Sequence, residues 1–269
     1  VIHSFGGNVL CYGRSMMKPF MLKAFTNELE DFTWEQKAIA VASHNGDTEH
    51  VAAAQSLLTE AEWPLMLTPV DVPLIQFGHT CSGEHAAILA GCKIKGWNRA
   101  GYTLPTHRVF EAYMEQLRRF LGEDWSPLRI AKDGCGLPTV SNTVSELAKI
   151  YAGLVRDKDA DWIWEAMCKH PDLVGGLLGM AIEHPDFPKG LGIVVKIAHG
   201  WNSQATWYVA RAILGCLGIE LRNPYPLHRQ KAFIVPGIVP DNLHLVLETI
   251  PTWDEWDPDR DRWHYEVDA

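Results

Sequence analysis

"YGRSMMKPFM", residues 12–21, sets Ser15 three positions ahead of Lys18, with Pro19 directly behind the lysine. Two readings of this stretch compete. If a helix begins near Ser15, Lys18 lies about one turn on and on the same side, so its amine can reach the hydroxyl. A lysine partly desolvated there can remove the serine proton and return it to a leaving group. Backbone N–H groups at the start of that helix would then be candidate oxyanion donors. Pro19 fits both readings, because first-turn N–H groups have no intrahelical partner. The plainer reading is an ordinary helix start, since Ser-x-x-Lys arises readily by chance.

The rest of the chain decides what such a pair could serve. With 269 residues, 47% of them hydrophobic, it can bury a substantial core. Its formal net charge of −9 offers no basic field to a phosphate backbone or an anionic membrane surface, so no nucleic-acid or membrane partner is expected. No apolar run approaches the roughly 20 residues that span a bilayer, and a cytoplasmic protein is the expectation. The six cysteines are expected as free thiols or metal ligands, not disulfides. The chain opens on Val1 without an initiator Met, and a segment upstream is expected to have been removed.

Helical signals fill the first two thirds. Thr33 and Gln36 have capping-box spacing, Asp47 can cap "DTEHVAAAQSLL", Cys81 or Ser82 can open "SGEHAAILAGCKIKG", and Thr106 can open "THRVFEAYMEQLRRFLG". Gly96 and Gly122 are plausible stops. "SELAKIYAGLV" and "DADWIWEAMCKH" read as two further helices. "GLGIVVKIAHG", residues 190–200, reads as a buried strand, followed by the helix "SQATWYVARAILGCLG" and the strand-like runs "AFIVPG" and "LHLVLETI". Residues 251–269 read as an acidic, Trp-rich extension to a single domain of residues 1–250. The pattern predicts an α/β protein with helices packed on a small sheet.

Four further segments carry candidate chemistry. "ASHNGDTEH", residues 42–50, holds Ser43, His44 and Asn45 in a loop between helices; its plainer reading is an Asn45-Gly46 turn followed by an Asp47 cap. "TCSGEH" and "DGCGLP" place Cys81 and Cys135 in Gly-containing loops beside Glu84, His85 and Asp133, unlike Cys216 inside "ILGCLG". Thiolates with carboxylate or imidazole suit zinc if folding brings them together. Lys196 interrupts the apolar run "IVVKIAHG": it is a candidate base facing a cleft, or a lysine on an edge strand reaching water.

Taken in order, "RSMMKPF", "ASHNG", "CSGEHA", "YTLPTH", "DGCGLPT" and "K…AHG" resemble one family, the Rhizobium etli-type L-asparaginases. The resemblance runs from residue 12 to about 235. It implies an α/β fold like that of serine β-lactamases and penicillin-binding proteins, a mixed sheet covered by helices with a helical subdomain. It implies two Ser-Lys tandems, Ser15 with Lys18 and Ser43 with Lys196, and substrate held by Arg14, His44, Asn45 and Asp133. A zinc ion would fall on Cys81, Glu84 and Cys135. The implied activity is hydrolysis of a small-molecule, asparagine-like side-chain amide to acid and ammonia, in a homodimer. Two departures stand out: Glu84 replaces the family's lysine, and Ile197 and His199 stand where glycine and glutamate are expected. They leave open an enzyme of the same fold acting on another amide or ester, or a non-catalytic binding protein.

Overall fold

A computed structural model describes residues 8–69, 75–174, 179–196, 203–219, 233–235 and 245–247. The chain divides into two compact units, one of residues 10–194 and one of residues 1–9 with 195–269.

The larger unit is helical around two small antiparallel sheets. Its strands β1 (Leu10–Tyr12), β2 (Ile130–Lys132) and β3 (Pro138–Thr143) stand in the order β1-β3-β2, with Leu10 opposite Thr143 and Ile130 opposite Val140. Pro138 opens β3, where a missing N–H costs the ladder least. A hairpin of β4 (Gly179–His184) and β5 (Phe187–Val194) lies on α6 (Val144–Arg156). The chain is thus mixed α and β, as expected.

The helices start and stop where local chemistry dictates. Helix α2 (Trp34–Val41) opens on a complete Thr33/Gln36 capping box, and α3 (Thr48–Gln55) on Asp47, whose carboxylate accepts the His50 N–H at 3.2 Å. Helix α4 (Ser82–Lys95) starts after Cys81 and stops at Gly96, which takes a left-handed φ of 66°. Helix α5 (Arg108–Leu121) is capped by His107 instead of Thr106: the His107 ring accepts the Val109 N–H at 3.2 Å. The "DADWIWEAMCKH" helix is shorter than its pattern, α7 being Ile163–Lys169, and the Asp161 carboxylate accepts the Ile163 N–H at its start at 3.0 Å. A short α8 (Pro171–Val174) follows.

One core joins these elements. Helix α5 buries Val109, Tyr113, Leu117 and Phe120, and α6 buries Leu147, Ile150, Tyr151 and Leu154, each a helical stripe. They close on Phe20, Leu22 and Phe25 of the segment that follows Ser15, α1 being Lys18–Leu22. Burying each such side chain stabilises the fold by roughly 1.5–3 kcal/mol. Gly83 lets α4 meet α2, since a Cβ there would fall 2.1 Å from the Ile39 carbonyl oxygen. Just ahead of α4, the Thr80 carbonyl meets the Ser43 loop at the His44 N–H, 3.3 Å away.

In the second unit, α9 (Ser203–Cys216) occupies the predicted helix, and β6 (Phe233–Val235) pairs antiparallel with β7 (Leu245–Leu247) in the two strand-like runs. Residues 251–269 lie outside the described residues.

Candidate active site

Between β1 and α1 the chain makes a single 3-10 turn, Arg14–Met17, so Ser15 sits on that turn and Lys18 begins α1. Arg14 takes φ 54°, a left-handed conformation that costs a non-glycine residue roughly 1–2 kcal/mol. Its surroundings hold it there. Its N–H donates to Thr139 Oγ1 of β3 at 3.3 Å, and its Nε donates to Asp133 Oδ1 at 2.7 Å. Tyr151 of α6 fixes the same turn by donating to the Met16 carbonyl at 2.8 Å. Within the turn, the Met16 N–H bonds Gly13 O and the Lys18 N–H bonds Ser15 O.

Lys18 is 1% exposed, and its ammonium makes its hydrogen bonds to groups other than Ser15. Nζ bonds the Ala42 carbonyl, the Thr80 carbonyl at 3.2 Å and Ser43 Oγ at 3.0 Å. A buried lysine needs such partners, and here the loop after α2 and the turn before α4 supply them. The Ser43 loop is itself held on both sides, by Ser43 N–H to Val174 O at 2.9 Å and His44 N–H to Thr80 O at 3.3 Å. Gly46 gives the loop its turn, at φ 76° with Gly78 O where a Cβ would stand.

Arg14, Ser15, Lys18, Glu84, Asp133 and Cys135 line one cleft, together with Thr139. Its free volume is about 10 Å³, close to that of one water, so a substrate enters only as side chains at the mouth move. The 56%-exposed Arg14 side chain is placed to do so. Ser43 joins this group through Lys18. Asp133 starts the turn between β2 and β3, which Gly136 N–H closes on Asp133 O at 2.9 Å, and Cys135 rides on that turn.

Behind the cleft, Cys81, Glu84 and Cys135 bring two sulfurs and a carboxylate oxygen within 4.8 Å of one another, all three residues buried. Burial pushes the Glu84 carboxyl up to about 8; Lys18 opposes this, while Cys81 and Asp133 add to it. The Cys81 thiol is held low, chiefly by a hydrogen bond with Cys135, and Lys18 and His79 assist against its burial. Cys135 is pushed up in return. Two sulfurs and a carboxylate are a donor set that zinc accepts, and a cation there would favour the deprotonated forms of Glu84 and Cys135. These residues fit such an ion.

Two of the expected substrate contacts sit on the Ser43 loop. His44 is 4% exposed; its Nδ1 accepts the Gly46 N–H at 3.2 Å and its Nε2 meets Ser82 Oγ at 3.0 Å, so the ring braces the loop. Burial, then Lys18, lowers its pKa to about 3, and the ring stays neutral. Asn45 is exposed beside the Gly46 turn. Lys196 belongs to the second unit and is half-buried; β5 ends at Val194, so Lys196 follows the strand it was expected to occupy. Ile197 and His199 lie outside the described residues. Sequence reasoning missed His79, whose Nδ1 accepts the Cys81 N–H at 3.1 Å, although its place two residues before Cys81 in "HTCSGEH" was a usable signal.

A family model described as L-asparaginase II matches residues 2–76 and 70–183. The chain belongs to that family. The matches cover the Ser15 turn, the Ser43 loop, the Cys81 and Cys135 loops and the β1-β3-β2 sheet, so the cleft is built from the family's own segments. No individually curated protein matches the chain. Membership implies a hydrolase, and among the described residues no helix is long and apolar enough to cross a membrane.

Proposed function

We propose that this L-asparaginase II family chain is an amidohydrolase that cleaves an asparagine-like side-chain amide to acid and ammonia with a serine nucleophile and a lysine base. The observation that carries this reading is the 3.0 Å contact between Lys18 Nζ and Ser43 Oγ, beside a cleft that also holds Ser15. In its neutral form Lys18 keeps two hydrogens, which satisfy the Ala42 and Thr80 carbonyls, and turns its lone pair to the Ser43 hydroxyl. That is the geometry of a general base on a nucleophile.

Ser43 Oγ attacks the amide carbon while Lys18 takes its proton. Lys18 then hands that proton to the departing nitrogen, and ammonia leaves. Water, deprotonated by the same lysine, opens the acyl-enzyme and releases the acid. Arg14, fixed by Asp133, meets the carboxylate of the substrate at the mouth. Cys81, Glu84 and Cys135 would hold zinc, which when bound would supply positive charge to the cleft wall. A β-lactamase-like arrangement of sheet and helices belongs to the same proposal.

A second reading has its own support: Ser15, not Ser43, lines the cleft, so Ser15 can be the acylated residue with Ser43 and Lys18 relaying its proton. The experiment that separates the two is mass spectrometry of the enzyme quenched during turnover of asparagine, with peptide mapping in Ser15→Ala and Ser43→Ala. An acyl adduct on Ser43 supports the first reading and one on Ser15 the second. Turnover undiminished in both variants would contradict both.

A further inference from the structure

Cys81 and Cys135 stand together although 54 positions separate them in the chain, and among the described cysteines they alone share a buried cluster. Their sulfurs lie within 4.8 Å of each other. A disulfide requires about 2.05 Å, and the turn bearing Cys135 can close that distance. Cys135 lies between Gly134 and Gly136, and a Cβ on Gly134 would meet nothing nearer than Arg14 at 3.6 Å, so the turn has room to shift. Cys135 also lines the cleft, which gives a small oxidant a way in.

We propose that Cys81 and Cys135 are a redox modification site, converted by a hydroperoxide into an intramolecular disulfide. The Cys135 sulfur attacks the peroxide oxygen, the O–O bond breaks, and the departing hydroxide takes the thiol proton to give one water and a sulfenic acid. The Cys81 sulfur then attacks that sulfur, and the hydroxide it displaces leaves with the Cys81 proton as the second water. Two thiols and one hydrogen peroxide become one disulfide and two waters, each sulfur losing one electron and the peroxide gaining two. The bond removes both sulfurs as metal donors and ties the β2–β3 turn to the start of α4 across the cleft wall. It holds whether or not the cleft hydrolyses an amide.

The test uses the full chain, treated with chelator, exposed to hydrogen peroxide, then unfolded and alkylated. Peptide mapping without reductant is expected to show a cross-linked pair containing Cys81 and Cys135, a loss of two hydrogen masses, and recovery of both thiols with dithiothreitol. In Cys81→Ala the cross-link disappears and a sulfenic-acid trap such as dimedone labels Cys135. Recovery of Cys81 and Cys135 as alkylated thiols while the exposed Cys168 is oxidised would overturn the proposal, as would a cross-link from either to a different cysteine.

Discussion

Lys18 Nζ stands 3.0 Å from Ser43 Oγ, a bond between residues 25 positions apart, while Ser15, three positions away, makes none with it among the described residues. The serine that Lys18 bonds is thus the one across the fold, not the one at Ser-x-x-Lys spacing.

Lys18→Met should remove turnover, by about 10³-fold or more, because the base is lost while the long apolar stem still fills the core. It should also lower stability by about 1–3 kcal/mol, since the Ala42 and Thr80 carbonyls lose their donor. Circular dichroism with urea titration measures the second effect and ammonia release the first.

Arg14→Gly separates stability from binding. Glycine accepts the φ of 54° without strain, which offsets the lost exposed pair with Asp133, a contact worth about 0–1 kcal/mol. The melting temperature should move by only a few degrees. KM for asparagine should rise at least about tenfold with kcat changed far less, the pattern of lost substrate binding.

His44 gives the fold an acid sensitivity. Its folded pKa of about 3 lies below the 6.5 of an unfolded histidine, so the unfolded chain binds more protons between these values. The stability held by neutral His44 is complete above pH 6.5 and declines as pH falls toward 3, at about 1.4 kcal/mol per unit. His44→Asn, which keeps an acceptor for the Gly46 N–H, should flatten this slope in urea titrations at pH 7, 6 and 5. An unchanged slope would place the acid sensitivity elsewhere.

The proposal that Cys81, Glu84 and Cys135 hold zinc predicts about one zinc per chain in protein purified without chelator. Cys135→Ser should cut retained zinc by at least about tenfold, measured by elemental analysis, and chelation should lower the melting temperature of the wild type but not of the variant.

Much of the fold was legible because its signals are local. The Thr33/Gln36 box, the Asp47 cap and the Gly96 stop are each written within four residues and appear as read. Strand β3 was not legible: "PTVSNT" is polar, and Asn142 is buried in it with no apolar alternation to announce a strand. Lys196 was placed on a strand because the apolar run continues past Val194, whereas the described ladder ends there, with Val194 opposite Gly179. The candidate site was legible as a set of residue types. The choice of partner was not, because the direction of Lys18 is set by the carbonyls of Ala42 and Thr80, which no side-chain motif encodes.

The most direct measurement is ammonia release from L-asparagine by the wild-type chain beside Ser43→Ala and Lys18→Met, each shown to be folded by circular dichroism. The account predicts steady release by the wild type and a loss of about 10³-fold or more in both variants. No release by the wild type, or undiminished release by folded Lys18→Met, would contradict it.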